Sequence, residues 1–332
     1  MRAIVFGGSG QMGRAAARAL LGAGWDVAIV TRGGRGLPPG VQGARVIADA
    51  GQGRDALIGD GADAVFEPLA MHAADAAGLL AARGRVGRFV AISSAAVYQD
   101  ARGRSLATQE QGFPQFDRPI TEDQSTAAPG PGYAGSKISL EAALLASGAP
   151  VTILRPGAIH GAGARHPREW VIVKRMLDGR SVMPVACAGA SRFGTTAADA
   201  IGALVETCLR QRAQGVFNVA DADAPSVAQI AAAIGTILGR TLTLIPVGEL
   251  PDDLGHVGQT PWSVPLPMVM DTARARALGW QPLPHAMAVR PAVQALLALD
   301  QPWQTAFPMF GHYGFDPFDD ASEDRALALV QG

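Results

Sequence analysis

Tyrosine and lysine are scarce in this chain. It has three tyrosines and two lysines, Lys137 and Lys174, yet one of each stands four residues apart in Tyr133-Ala134-Gly135-Ser136-Lys137. On a helix, residues i and i+4 share a face, so the phenol and the ammonium can act together. A phenol ordinarily keeps its proton to about pH 10, and a neighbouring positive charge favours the ionised form. Such a pair could serve as an acid/base group at neutral pH. The same spacing also fits a surface lysine beside a half-buried tyrosine. Two more hydroxyls, Ser93 and Ser94, close the apolar run Arg88-Phe89-Val90-Ala91-Ile92. They could hydrogen-bond a substrate oxygen or satisfy the backbone of their own loop.

These groups need a scaffold, and the first thirty residues describe one. Ala3 to Phe6 reads as a short buried strand running into Gly7-Gly8-Ser9-Gly10-Gln11-Met12-Gly13. A helix-like stretch, Arg14 to Ala23, follows, then a second strand, Trp25 to Thr31. Strand, glycine turn, helix, strand is a dinucleotide-binding βαβ unit. Its glycines admit a pyrophosphate close to the backbone, and the helix start offers unpaired N–H groups. Gly7, Gly10, Gln11, Met12 and Gly13 are therefore candidate cofactor contacts. After the second strand, a carboxylate would hold ribose hydroxyls, whereas an arginine accommodates a 2′-phosphate. The chain reads Thr31-Arg32-Gly33-Gly34-Arg35, with no carboxylate. Thr31, Arg32 and Arg35 thus favour NADP over NAD.

Further strands are expected at Ala44–Ala48, Asp63–Glu67, Arg88–Ile92 and Val151–Leu154. Ligands of an open parallel sheet bind at the carboxyl ends of its strands. Asp49, Pro68, Leu69, Ala70 and Pro156 stand at such ends and are further cofactor candidates. His72 just beyond reads as structural. The polar stretch from Gln99 to Gly132, rich in Pro and Gly, is too long for a plain connection and reads as a lid or binding loop. Tyr133 then opens a helix, Ala134 to Leu145.

Composition narrows the class. The chain has 332 residues, 48% hydrophobic and 17% charged, with a formal net charge of −1. That describes a globular domain with ample core and no global attraction to nucleic acid or anionic membranes. Cys187 and Cys208 are the two cysteines, too few for a disulfide framework or a zinc site, so no metal is expected and a reducing cytoplasm is the default. No apolar run has the length of a membrane span. The apolar start breaks at Gly7-Gly8, too soon for a signal segment.

Taken in order, several short motifs resemble one family. They are Gly7-x-x-Gly10-x-x-Gly13, Ser94 four residues before Tyr98, Tyr133-x-x-x-Lys137 and Arg155-Pro156 leading to Gly161. Arg192-Phe193-Gly194-Thr195-Thr196-Ala197-Ala198-Asp199, Phe217-Asn218-Val219-Ala220 and Ala277-Leu278-Gly279-Trp280 follow. The chain resembles, over about residues 1–285, the extended short-chain dehydrogenase/reductases, also called NAD-dependent epimerase/dehydratases. The resemblance implies an α/β fold: a doubly wound, Rossmann-type parallel sheet with a smaller C-terminal substrate domain. The first domain would comprise 1–157 plus about 192–220, the second about 158–191 and 221–332. In the second, Ser226 to Leu238 reads as a helix with Ile230, Ile234 and Ile237 inward.

The resemblance also implies roles. Tyr133 would be the acid/base group. Lys137 would stabilise its ionised form and hydrogen-bond the nicotinamide ribose. Ser94 would orient the substrate oxygen, while Ser93 would face the backbone. Ala95, His160, His166 and Arg192 are candidate substrate contacts. The implied function is reduction or oxidation of a small carbonyl/alcohol pair with NADP(H). An epimerase or dehydratase that retains its nicotinamide is one alternative; a non-catalytic nucleotide- or RNA-binding member is another. The expected partner is a small molecule rather than nucleic acid or membrane, and a homodimer is left open. Relatives that act on nucleotide sugars pair the diphosphate with arginines, but residues 243–270 contain no arginine or lysine. A smaller, less charged substrate is expected. The aromatic-rich tail, Asp300 to Gly332, would pack in the core or dock over the substrate domain or a partner.

Overall fold

The computed structural model describes residues 1–32 and 39–331. Arg35, expected at the 2′-phosphate, lies outside the described residues. In chain order the strands are β1 (Arg2–Phe6), β2 (Asp26–Thr31), β3 (Arg45–Ala48), β4 (Ala64–Glu67), β5 (Phe89–Ile92), β6 (Val151–Pro156), β7 (Ala158–His160), β8 (Val182–Val185), β9 (Thr195–Ala197), β10 (Gly215–Val219) and β11 (Thr243–Pro246). The helices are α1 (Gln11–Gly22), α2 (Arg54–Ile58), α3 (Ala73–Leu80), α4 (Gly132–Leu145), α5 (Trp170–Leu177), α6 (Ala198–Arg210), α7 (Val227–Leu238), α8 (Ala273–Arg276), α9 (His285–Ala288), α10 (Arg290–Leu297), α11 (Trp303–Ala306) and α12 (Asp320–Gln331).

The chain divides into two compact units. The first comprises Met1–Gly157, Ala198–Ala220 and Met270–Pro282. Its seven-stranded sheet has the order β10-β6-β5-β4-β1-β2-β3, and each pairing is parallel. This is the expected doubly wound α/β sheet. Its central strands are apolar on both faces, as helices on each side require: β4 and β5 are buried throughout. The core gathers Ile4, Val65, Leu79, Phe89, Leu140 and Ile153. Helices α1 and α6 cross closely, because a Cβ on Gly202 would stand 2.5 Å from the Ala15 carbonyl oxygen. The long segment after β5 is organised by Asp100, whose carboxylate accepts the backbone N–H groups of Arg102, Arg104 and Gln115.

The second unit comprises Ala158–Ala197, Asp221–Val269 and Leu283–Gly332. Two small parallel pairs, β7 with β9 and β8 with β11, accompany helices around Trp170, Ile172, Ile230, Ile234, Trp262 and Val293. Helix α7 begins with a capping box, in which Ser226 accepts the Gln229 N–H and Gln229 reaches back to Ser226. Its Ile230 and Ile234 are fully buried, and Ile237 is partly so. In the aromatic tail, Phe307 and Phe310 join this core with Trp303, Tyr313 and Phe318 packed against it, mostly ring edge to ring face.

Two segments sit otherwise than the sequence suggests. Residues 192–197 stay with the second unit, because β9 pairs with β7 and the Ala158 N–H donates to Gly194. Met270–Pro282 belongs to the first unit. There Asn218 donates to the Asp271 carbonyl, and the Trp280 indole donates to that of Ala200.

Candidate active site

Tyr133 and Lys137 lie on successive turns of α4, and glycines shape its start. Gly132 has φ +79°, a left-handed conformation open to glycine. A Cβ on Gly135 would stand 2.7 Å from the Gly130 carbonyl oxygen, so the preceding loop presses directly on the helix. The two side chains meet different surroundings. Tyr133 is 51% exposed, whereas Lys137 is 3% exposed. The Lys137 ammonium donates to the Ala70 carbonyl at 2.7 Å and to the Ile92 carbonyl at 3.0 Å. These carbonyls follow β4 and end β5, so the lysine reaches the carboxyl edge of the sheet. Burial pulls its pKa down to about 8, while the charges of Glu67, Asp75 and Glu141 resist. Among the described residues those two carbonyls are its hydrogen-bond acceptors, which leaves one ammonium N–H for a ligand.

Ser93, expected to face the backbone, does not bond it. Ser94, half-buried, caps the short turn Ala95–Val97 by accepting the Ala96 N–H at 3.1 Å. Its own proton remains available to a substrate oxygen. Ser93 is buried with its hydroxyl lacking a partner among the described residues, so it is Ser94 whose side chain engages the backbone. Ala95 is nearly buried.

The glycine turn has the geometry of a phosphate cradle. Gly7 adopts φ +62°, and its carbonyl accepts the Gly10 N–H at 2.9 Å. A Cβ on Gly13 would stand 2.3 Å from that same oxygen. Helix α1 starts at Gln11 without a side-chain cap or an acidic residue in its first turn, so its N–H groups and positive end face outward unopposed. The Gln11 side-chain oxygen is buried without a partner among the described residues. Met12 follows, half-buried. Thr31 is half-buried and Arg32 exposed at the end of β2. Asp49 accepts the Gly51 N–H at 2.9 Å. Leu69 packs over Gly7, 3.1 Å from where a Cβ would be. Pro156 ends β6, paired with Val219.

Three expected contacts lie within the second unit. Arg192 is exposed and donates to the Ala224 carbonyl. His166 is half-buried and hydrogen-bonds the Tyr313 hydroxyl at 2.8 Å; burial and Arg168 lower its pKa. His160 is buried, and its Nε2 meets the Asp221 carboxylate at 2.7 Å. The same Asp221 oxygen receives His285 at 3.0 Å and Thr195 at 2.8 Å, and the other accepts the Ala197 N–H. Burial opposes ionisation of Asp221, yet the two imidazoles hold its carboxyl well below the usual range. Burial likewise opposes charge on His160, and Asp221 outweighs it to raise the His160 pKa. His160, Asp221 and His285 form the group able to hold a metal among the described residues. Each imidazole already meets the carboxylate, and the remaining nitrogens, His160 Nδ1 and His285 Nε2, have no partner among the described residues. Metal-bound histidines normally give that second nitrogen a partner.

Sequence reasoning passed over Glu67, Arg54 and Asp75 beside Lys137. The visible signal was a carboxylate closing an otherwise apolar strand. Asp221 gave none, since its partners come from three separate segments.

No protein-family model matches the chain. A curated relative, 3-diazoavenalumate denitrifying reductase from Streptomyces sp, is 28% identical over 302 residues, covering 85% of this chain and 96% of that protein. Among solved structures, a putative epimerase from Burkholderia cenocepacia has 22% identity and a TM-score of 0.69, covering 90% of this chain and 98% of that one. UDP-glucuronic acid 4-epimerase from Bacillus cereus, solved with UDP-glucuronic acid and NAD, has 17% identity and a TM-score of 0.66, covering 90% and 99%. Among the described residues no helix is long and apolar enough to cross a membrane.

Proposed function

This chain has the fold of the extended short-chain dehydrogenase/reductases, and on that footing we propose that it is an NADP(H)-dependent oxidoreductase acting on a small carbonyl/alcohol pair. The observation that carries the reading is the divided environment of the Tyr133/Lys137 pair. One helix holds the ammonium buried at the strand ends and keeps the phenol accessible. A surface lysine beside a tyrosine would not be built so.

The nicotinamide, when bound, supplies or accepts the hydride. The Gly7–Gly13 turn and the start of α1 would receive its pyrophosphate, and Arg32 would meet a 2′-phosphate; Arg35, expected to join it, lies outside the described residues. Leu69 and Pro156 would line the same site, and the remaining N–H of Lys137 would go to the ribose. Ser94 donates its hydroxyl proton to the substrate oxygen and so fixes its place. Tyr133 gives that oxygen a proton during reduction and takes it back during oxidation, with Lys137⁺ favouring the phenolate left behind.

Net redox chemistry is preferred to epimerisation because the relative named a reductase shares 28% identity, above the 16–22% of the epimerase structures with the same fold. Nicotinamide absorbance, followed with ketones, aldehydes, secondary alcohols and 3-diazoavenalumate, tests this. We expect net change with NADPH and a 10²- to 10⁴-fold slower rate in Tyr133→Phe, with cofactor affinity little altered. A variant within a few-fold of wild type would overturn the acid/base assignment. Equal affinities for NADPH and NADH would overturn the NADP reading.

A further inference from the structure

We propose that Glu67, Arg54 and Asp75 form a positioning device for Lys137, an inference that rests on the role given to Lys137 above. Strand β4 ends in Glu67, which is 1% exposed. A carboxylate so deeply buried requires full pairing. One oxygen accepts the N–H groups of Leu69 at 2.6 Å and Ala70 at 3.0 Å. The other accepts Arg54 Nε at 2.6 Å. Arg54 then reaches Asp75 at 2.8 Å. Asp75, in the first turn of α3, accepts the N–H groups of Met71 at 2.7 Å and His72 at 3.0 Å.

Four successive backbone N–H groups, 69 to 72, thus turn toward two carboxylates bridged by one guanidinium. The consequence for Lys137 follows from peptide geometry. In a planar trans peptide the N–H and the C=O point in opposite directions. The Ala70 carbonyl shares its peptide with the Met71 N–H. Asp75 holds that N–H, so the Ala70 oxygen is aimed the other way, where it takes the Lys137 ammonium at 2.7 Å. Glu67 fixes the two preceding peptides and so the place from which that carbonyl projects.

The device also balances charge. Lys137⁺ and Arg54⁺ stand with Glu67⁻ and Asp75⁻. The remaining charge felt by Lys137 is Glu141, on its own helix, itself paired with Arg155. Burial lowers the Lys137 pKa, and Glu67 is the strongest charge opposing this. The ordinary reading makes Asp75 a helix cap and Glu67 a strand-end ion pair. On that reading, removing either charge lowers stability and leaves Lys137 as it was.

The chain's two lysines make the distinction measurable. Protein labelled with ¹⁵N-lysine gives two side-chain ammonium resonances, and Lys174→Arg identifies that of Lys137. We expect the Lys137 resonance to titrate near pH 8 in wild type and about half a unit or more lower in Glu67→Gln. Lys174 should not move. NADPH binding, followed by nicotinamide fluorescence, should weaken on the order of tenfold in Glu67→Gln. An unshifted Lys137 resonance with unaltered NADPH affinity, in folded Glu67→Gln, would overturn the proposal. Should that variant not fold, Asp75→Asn gives the same test, since it retains an acceptor for Met71 but loses the charge. The resonance needs no substrate, so the positioning role can fail or hold separately from the oxidoreductase reading, which the Tyr133→Phe rates decide.

Discussion

Asp221 shows how one residue can tie a unit together through its charge. Its carboxylate receives His160, His285, Thr195 and the Ala197 N–H, so it joins β7, β9, its own turn and α9. The pH dependence has two arms. The Asp221 pKa is depressed in the fold, so its contribution is present above the unfolded carboxylate value, about 4, and is lost as pH falls through the folded value. The His160 pKa is raised, so its contribution is full below the unfolded histidine value, about 6.5, and is lost as pH rises through the folded one. The pair therefore stabilises most between about pH 4 and 6.5. We expect Asp221→Asn to cost about 3 kcal/mol near pH 5.5, and less above the raised His160 pKa. Urea unfolding of both proteins over a series of pH values from about 5.5 upward checks this; a difference independent of pH throughout would refute the charged pairing. None of this was legible in the sequence, where His160 looked like a substrate contact. A lone histidine tells nothing of a carboxylate 61 residues away.

At the scale of elements, regular patterns were readable and short ones were not. The alternation of apolar runs, glycine turns and Ala/Leu stretches located β1 to β6, α4 and α7 to within a few residues. Helix α1 was expected from Arg14 but begins at Gln11, because Gly10 takes the extended cap position with φ −83° and ψ 166° and Gly13 is itself helical. Glycine has low helix propensity, so the sequence placed the boundary too late. Strands β7 and β9, three residues each, and the five-residue α2 are too short for a period to show. They exist because the tertiary structure pairs or packs them. The glycine turn supplies a test at this scale. A Cβ on Gly13 would meet a backbone oxygen 2.3 Å away, and backbone cannot swing aside as a long side chain can. Gly13→Ala should weaken NADPH binding by at least about tenfold and lower the melting temperature by several degrees, the cost typical of overpacking at a tight site. Gly22→Ala, with nothing within 4 Å, is the control and should hold affinity constant. Wild-type binding by Gly13→Ala would remove the turn from the cofactor site.

At the scale of the whole molecule the proposed function raises the question of which substrates the chain admits, if the second unit holds them as proposed. Several solved neighbours are epimerases crystallised with UDP-sugars, whose diphosphate carries two negative charges. A buried charge without partners is very costly, and guanidinium forks are the usual partners of phosphate. The cations of the second unit are largely committed elsewhere. Arg175 pairs with Glu323 and with the Val171 and Pro317 carbonyls. Arg180 pairs with Asp324, Lys174 with Asp178 and Arg325 with Asp253. Arg240 donates to the Met176 carbonyl. Arg192 is exposed with one backbone contact, and residues 243–270 bring no arginine or lysine. That stretch instead buries Leu254, Val257, Trp262, Val264 and Met268. Arg165 and Arg290 are exposed as well, and Arg168 donates to the Ile159 carbonyl, so the case against a diphosphate rests on the stretch 243–270, where a buried phosphoryl group without a cation would cost several kcal/mol. We therefore expect UDP-glucose and UDP-glucuronic acid to give no thermal shift at millimolar concentration, under conditions where NADPH gives a clear one. Neutral or singly charged carbonyl compounds should support nicotinamide turnover. Arg192→Ala should weaken an anionic carbonyl substrate more than a neutral one, raising KM with kcat little changed. Micromolar binding of either nucleotide sugar would show that the unit finds its phosphate partners elsewhere, and would return the chain to the chemistry of its epimerase neighbours.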